Sequence, residues 1–114
     1  MASVTDTTET LRRALVPVAS LALLSAAPRH GYALIAQLRE IGIPGANGGT
    51  IYPLLRTLEE DALVTSSWEA TGPGPARKIF RLTAAGADRL HHDRRTVLDL
   101  LAQVDRLVPR NEDT

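Results

Sequence analysis

The chain has 114 residues, 44% hydrophobic and 23% charged, which suits one compact domain with its own core and excludes a disordered polymer. Aromatic residues are scarce (one Trp, two Tyr and one Phe), so the core must be built from Leu, Ala, Val and Ile, a composition that leans to helix. Thirteen basic residues, 12 Arg and the single Lys78, cancel 13 acidic ones. That balance removes a global basic excess but leaves room for a local basic face. Without Cys there is no disulfide, thiolate metal site or cysteine nucleophile.

The opening MASVTDTTET lacks the basic and apolar regions of a signal peptide and reads as a flexible arm over residues 1–9. The longest apolar stretch, Ala14 to Ala27, is too short to span a bilayer, so a cytoplasmic protein is expected. Thr10 is placed to cap a first helix over 11–26, within which Pro17 either kinks the helix or marks a second start. AAPRHG breaks the chain, and a second helix follows from Gly31 to about Ile41. After the glycine-rich GIPGANGG, Asn47 reads as the N-cap of a third helix reaching Asp61, with Ile51, Leu54, Leu55, Leu58 and Ala62 facing inward.

Beyond Ala62 the pattern changes. LVTSSWEA and KIFRL, joined by the turn-forming TGPGPA, read as a β-hairpin in which Phe80 and Leu82 face the core. Thr83 then caps a long last helix over 83–108, stopped by Pro109 and a tail over 109–114. The expected fold class is mainly α with a small β-hairpin. Three helices and a hairpin over 10–82 form a winged helix-turn-helix, whose third helix enters the DNA major groove.

Three motifs sharpen this reading: HGYALIAQL (30–38), GGTIYPLLRTLEEDALV (48–64) and GPARKIFRLTAAG (74–86). In order and spacing they resemble the PadR family of transcription regulators, and the single last helix resembles its compact subfamily. The resemblance covers roughly 11–108. It implies a homodimeric repressor that binds a pseudo-palindromic operator in double-stranded DNA and responds to a small-molecule effector of unknown identity.

The candidate DNA contacts are Asn47, Gly49, Thr50, Tyr52, Pro53 and Arg56 on the third helix, Tyr32 on the second, and Arg77 and Lys78 on the hairpin. The open first turn of the third helix offers backbone N–H groups to a phosphate. Arg56 can reach guanine or phosphate, while the basic hairpin residues suit phosphate. Each has a plainer alternative: Tyr52 half-buried against the second helix, Arg56 paired with Glu60, Tyr32 packed in the core, Arg77 and Lys78 guarding a solvated edge. Lys78 is expected near the hairpin tip, free to reach outward, and His30 as a turn or capping residue.

On the last helix, Leu90, Arg94, Val97, Leu101, Val104 and Val108 recur at three- and four-residue steps, and Leu98 widens the stripe. So long a stripe on a small domain is expected to pair with a second copy, together with Leu11 and Leu15 of the first helix. A ligand pocket is expected to be lined by Leu15, Val18, Ala19, Ala22, Val97 and Leu101. Residues 95–100 lack an aromatic ring, so a flat aromatic ligand has no stacking partner there.

Asp88, His91, His92 and Asp93 read as a solvated face rather than a metal site, because adjacent helical residues point about 100° apart. No cofactor is expected. No nucleotide loop or nucleophile–base set points to an enzyme. A winged helix devoted to protein contact or RNA is the competing reading, which the neutral net charge permits.

Overall fold

The computed structural model describes residues 4–43, 45–70 and 72–110, with side chains from Thr7 onward. The elements in chain order are α1 (Val4–Ala14), α2 (Val16–Ala26), β1 (Arg29–His30), α3 (Gly31–Glu40), α4 (Gly48–Glu60), β2 (Val64–Glu69), β3 (Arg77–Leu82) and α5 (Ala84–Leu107). The expected third helix and hairpin are α4 and β2–β3. The expected second and last helices are α3 and α5.

Two expectations need correction at the N-terminus. Residues 4–10 are helical rather than an arm, so Thr10 lies inside α1 and does not cap it. Residues 1–3 of the expected arm lie outside the described residues, as do 111–114 of the tail. Pro17 marks a second start: it sits in the first turn of α2, where its missing N–H is no loss, and Leu15 makes the break. The Leu15 amide bonds back to Arg12 in a tighter turn (3.1 Å), so the two helices stay nearly continuous.

A two-residue strand at Arg29–His30 extends the hairpin into an antiparallel sheet ordered β1-β3-β2. It is too short to leave a sequence signal. In the hairpin Val64 opposes Leu82, Ser66 opposes Phe80 and Trp68 opposes Lys78. That register puts Val64 and Phe80 into the core and leaves Leu82 half-buried against it.

Leu21 and Leu24 of α2, Leu34, Ile35 and Leu38 of α3, and Ile51, Leu55 and Leu58 of α4 form one cluster with Ile43, Ala46, Val64 and Phe80. Helical spacing gives α4 a single buried stripe and so leaves its opposite face in water. Ala62, expected inward, is exposed because the helix has ended. Its φ is +60°, and the amides of Leu63 and Ala62 return to the carbonyls of Leu58 (2.9 Å) and Glu59 (3.0 Å), a Schellman ending. α3 closes the same way with Gly42 at φ +97°.

Thr83 caps α5, accepting from the Gly86 amide at 2.9 Å, while its own hydroxyl donates to the Ala62 carbonyl at 2.7 Å. Gly86 is buried against the backbone of Leu63, where a Cβ would land on the carbonyl oxygen. α5 is thereby locked to the hairpin entry at its N-terminal end.

Two opposite stability changes follow. Gly86→Ala should lower unfolding stability by about 2 kcal/mol, because the obstacle is backbone that cannot rotate away. Ala62→Gly should raise it by about 0.5–1 kcal/mol by relieving the left-handed conformation. Urea denaturation of both variants checks the pair.

Candidate nucleic-acid interface

The presentation of α4 begins in the loop before it. Arg39, at the end of α3, donates from Nε to the Ala46 carbonyl at 2.8 Å and pins that loop. Asn47 then takes an extended conformation, and its side-chain amide donates to the Gly45 carbonyl at 3.0 Å. The Asn47 amide donates to Thr50 Oγ1 (3.2 Å), and the Thr50 hydroxyl donates back to the Asn47 carbonyl (3.0 Å). The hydroxyl of exposed Thr50 is therefore engaged in shaping the helix start. The amides of Gly48 and Gly49 have no carbonyl one turn back and point along the positive end of the helix dipole.

Tyr52 is 39% exposed, and its ring lies across the N-terminus of α3, where a Cβ on Gly31 would come within 2.5 Å of the tyrosine oxygen. The ring is thus packed against α3 while part of it stays exposed to solvent. Gly31 is what lets the ring pass so close. Tyr32, the next residue, is 75% exposed rather than packed in the core, so both tyrosines sit where α3 and α4 meet.

Pro53 is exposed in the second turn of α4 and withholds the N–H that the Gly49 carbonyl would otherwise accept. One turn on, Arg56 is exposed and makes no hydrogen bond or ion pair with any described residue. The i,i+4 pair with Glu60 is not formed. Thr50, Pro53 and Arg56 thus share the outward face of α4, opposite Ile51, Leu55 and Leu58.

The hairpin differs from expectation at Lys78. Instead of reaching outward from the tip, its Nζ lies 3.8 Å from Glu59 of α4 and 5.6 Å from the Phe80 ring centroid. Glu59 also accepts from the Ser66 hydroxyl at 2.5 Å, so this carboxylate clamps the hairpin to the end of α4. The cause is the strand alternation: Lys78 shares a face with Phe80 and is drawn over α4. An exposed ion pair of this kind is worth about 1 kcal/mol or less.

Arg81 is held by Glu69 at 2.7 Å. That hydrogen bond, helped by one from Ser67, keeps the Glu69 carboxyl below its ordinary range. Its stabilisation is present at neutral pH and fades as pH falls through the carboxylate range; contact of both side chains with solvent keeps it small.

Arg77 is exposed, its Nη1 3.1 Å from Nε2 of His30. His30 caps α3 by accepting the Ala33 amide at Nδ1 (3.3 Å), the capping role read from the sequence. An imidazole that accepts at Nδ1 carries its hydrogen on Nε2, which gives Arg77 nothing to donate to, so Arg77 is held weakly. Trp68 stands 71% exposed beside Lys78 on the hairpin. The pinning role of Arg39 left no sequence signal, since its partner is a loop carbonyl.

α5 divides into two parts. Leu90, expected to face a second copy, packs against the core of the same chain, and Val97 is half-buried. Arg94 is exposed, and beyond it Leu98, Leu101, Val104 and Val108 are 52–62% exposed, with Leu100 and Leu107 also uncovered. Leu11 and Leu15 on the N-terminal helices are exposed as well.

In a single copy the six residues expected to line a pocket stand apart from the cleft between the N-terminal helices and α4. Ala19 packs on the core, Val18 is half-buried, Ala22, Leu15 and Leu101 are exposed, and none of them, nor Val97, lines the cleft that the structure contains. That cleft, of about 380 Å³, lies between Arg12, Arg13, Val16 and Pro17 on one side and Ile43, Gly45, Thr50 and Leu54 on the other. Among the described residues no His/Asp/Glu group is arranged to hold a metal ion, and no helix is long and apolar enough to cross a membrane.

Comparison with known proteins agrees with this geometry. The profile of the Transcriptional regulator PadR-like family matches residues 21–92. A transcriptional regulator of Mycobacterium tuberculosis is 37% identical over 75 residues, covering 66% of this chain and 68% of the relative. The crystal structure of a PadR family transcriptional regulator from Eggerthella lenta superposes with a TM-score of 0.84 at 33% identity, covering 95% of this chain and 94% of the other. That of a Streptococcus transcriptional regulator gives 0.77 at 31% identity, covering 85% and 95%. The winged helix, its three ordered motifs and these relatives together show that the chain belongs to the PadR-like family of transcriptional regulators.

Proposed function

We propose that the protein is a cytoplasmic homodimeric repressor that inserts α4 into the major groove of a pseudo-palindromic operator upstream of its own gene. The observation that carries this reading is the outward face of α4. Its unpartnered Arg56 lies about two turns along the same helix from a start whose glycine amides are open, and the helix is held rigid by its buried stripe. Arg56 takes the base-reading role, and the Gly49 amide and Arg77 take phosphates. Asn47 and Thr50 shape the helix start, while Tyr52 and Pro53 set the surface that slides along the groove. Tyr32 reaches backbone from the α3 side. Lys78 contributes only after leaving Glu59, so its share is smaller than its position near the hairpin loop suggests.

The second copy joins through the distal stripe of α5, Leu98, Leu101, Val104 and Val108, with Arg94 at its edge and Leu11 and Leu15 alongside. An apolar run of this length has no cover within its own protomer, and a two-fold pairing of identical helices buries it at once.

Gel-shift titration of the region upstream of the gene should give a discrete complex that weakens steeply with salt. Arg56→Ala should cost about 1–3 kcal/mol on that site and little on random DNA. Lys78→Ala should weaken both alike and by less. A complex as tight on single-stranded RNA as on duplex, or equal behaviour of the two variants, counts against the assignment. Leu101→Asp should turn the dimer into a folded monomer in sedimentation velocity, with loss of the discrete complex. A variant that remains dimeric would place the interface elsewhere.

A further inference from the structure

The cleft between the N-terminal helices and α4 carries a mixed chemistry. Its floor is aliphatic, with Val16, Pro17, Ile43 and Leu54, and its lining contains no aromatic ring. Among the described lining residues are two arginines, Arg12 and Arg13, and one acidic residue, Glu9. Neither arginine makes an ion pair with a described residue, although Glu9 lies one helical turn away. The walls include Thr50 and Leu54 of α4 itself.

We propose that this cleft binds a medium-chain aliphatic carboxylate, with the chain on the apolar residues of the lining and the carboxylate on the arginine side, at Arg12 or Arg13. The volume of about 380 Å³ falls in the range of small-molecule sites. Arginine suits a carboxylate because its fork makes paired, charge-assisted hydrogen bonds. On α1 the residues Glu9, Arg12 and Arg13 share one face through three- and four-residue steps, and Leu11 of the proposed dimer stripe is offset from it. A ligand wedged between Arg12 and Leu54 presses on the first turns of α4, so occupancy shifts the helix that enters DNA. That last step rests on the DNA-binding reading; binding of the ligand does not.

Calorimetric titration of the full chain with sodium octanoate and with octan-1-ol tests the site without DNA. Octanoate should bind once per protomer and about tenfold more tightly than the alcohol. Arg12→Ser/Arg13→Ser, both at exposed positions, should erase that difference while the melting temperature holds. Gly45→Leu offers an independent obstruction: a Cβ there meets no atom within 4 Å, so the side chain fits the fold but crowds the cleft. It should abolish octanoate binding. Equal affinity for acid and alcohol, a preference that survives the arginine substitutions, or octanoate binding only to the Leu101→Asp monomer would overturn the proposal. In gel shifts octanoate should weaken the wild-type complex but not that of Gly45→Leu. If octanoate binds in the calorimeter yet leaves the DNA complex unchanged, the coupling to α4 is overturned and the site stands.

Discussion

The burial of one stripe of α4 is the constraint from which the remainder follows. Ile51 and Leu55 are 0% and 1% exposed, in the same cluster as Leu38 and Leu34 at 0% and 1%. At about 25 cal/mol per Å² of apolar surface, each such side chain contributes about 1.5–3 kcal/mol, so rotating α4 to another face would forfeit most of the domain's stability. With the inner stripe fixed, Thr50, Pro53 and Arg56 have nowhere to go but outward. The same packing sets the height of the Asn47 start and lets the Tyr52 ring settle over Gly31. Rigid presentation of a polar face is thus a by-product of core formation.

α5 obeys the same logic until its own domain runs out. Thr83 and Gly86 lock its first turn, Leu90 lies against the core, and Val97 is half-buried. Past Val97 the helix continues for two to three turns with leucines and valines in water. The proposed dimer answers this imbalance, and it separates two tasks on the N-terminal helices. In the proposed pairing the exposed Leu11 and Leu15 are offered to the second copy, while Arg12 and Arg13 border the cleft.

Much of this was legible in the residues. Asn47 and Thr83 announced helix starts because capping is local chemistry, and the boundaries of α3, α4 and α5 fall within a residue or so of expectation. The hairpin followed from alternation. What escaped notice depended on partners distant in the chain. β1 exists only because Phe80 and Ile79 offer it a neighbouring strand. Lys78 looked free until Glu59, on another element, was brought beneath it. Leu90 looked like part of a continuous seam, since a helical stripe does not reveal where its own domain ends. The first nine residues were read as an arm because their threonines are weak helix formers, yet α1 begins at Val4. The cleft could not have been read at all, as it joins residues of α1 to a loop more than 30 positions later.

The distance between the two copies of α4 tests the central claim most directly. The chain has no cysteine, so Thr57→Cys, at an exposed position on α4, places one nitroxide spin label on each protomer. Pulsed electron resonance on the free protein should give a single distribution centred near one turn of duplex, roughly 34–36 Å. An absence of dipolar modulation at concentrations that form the DNA complex, or a spacing that no integral number of DNA turns can match, would contradict the account.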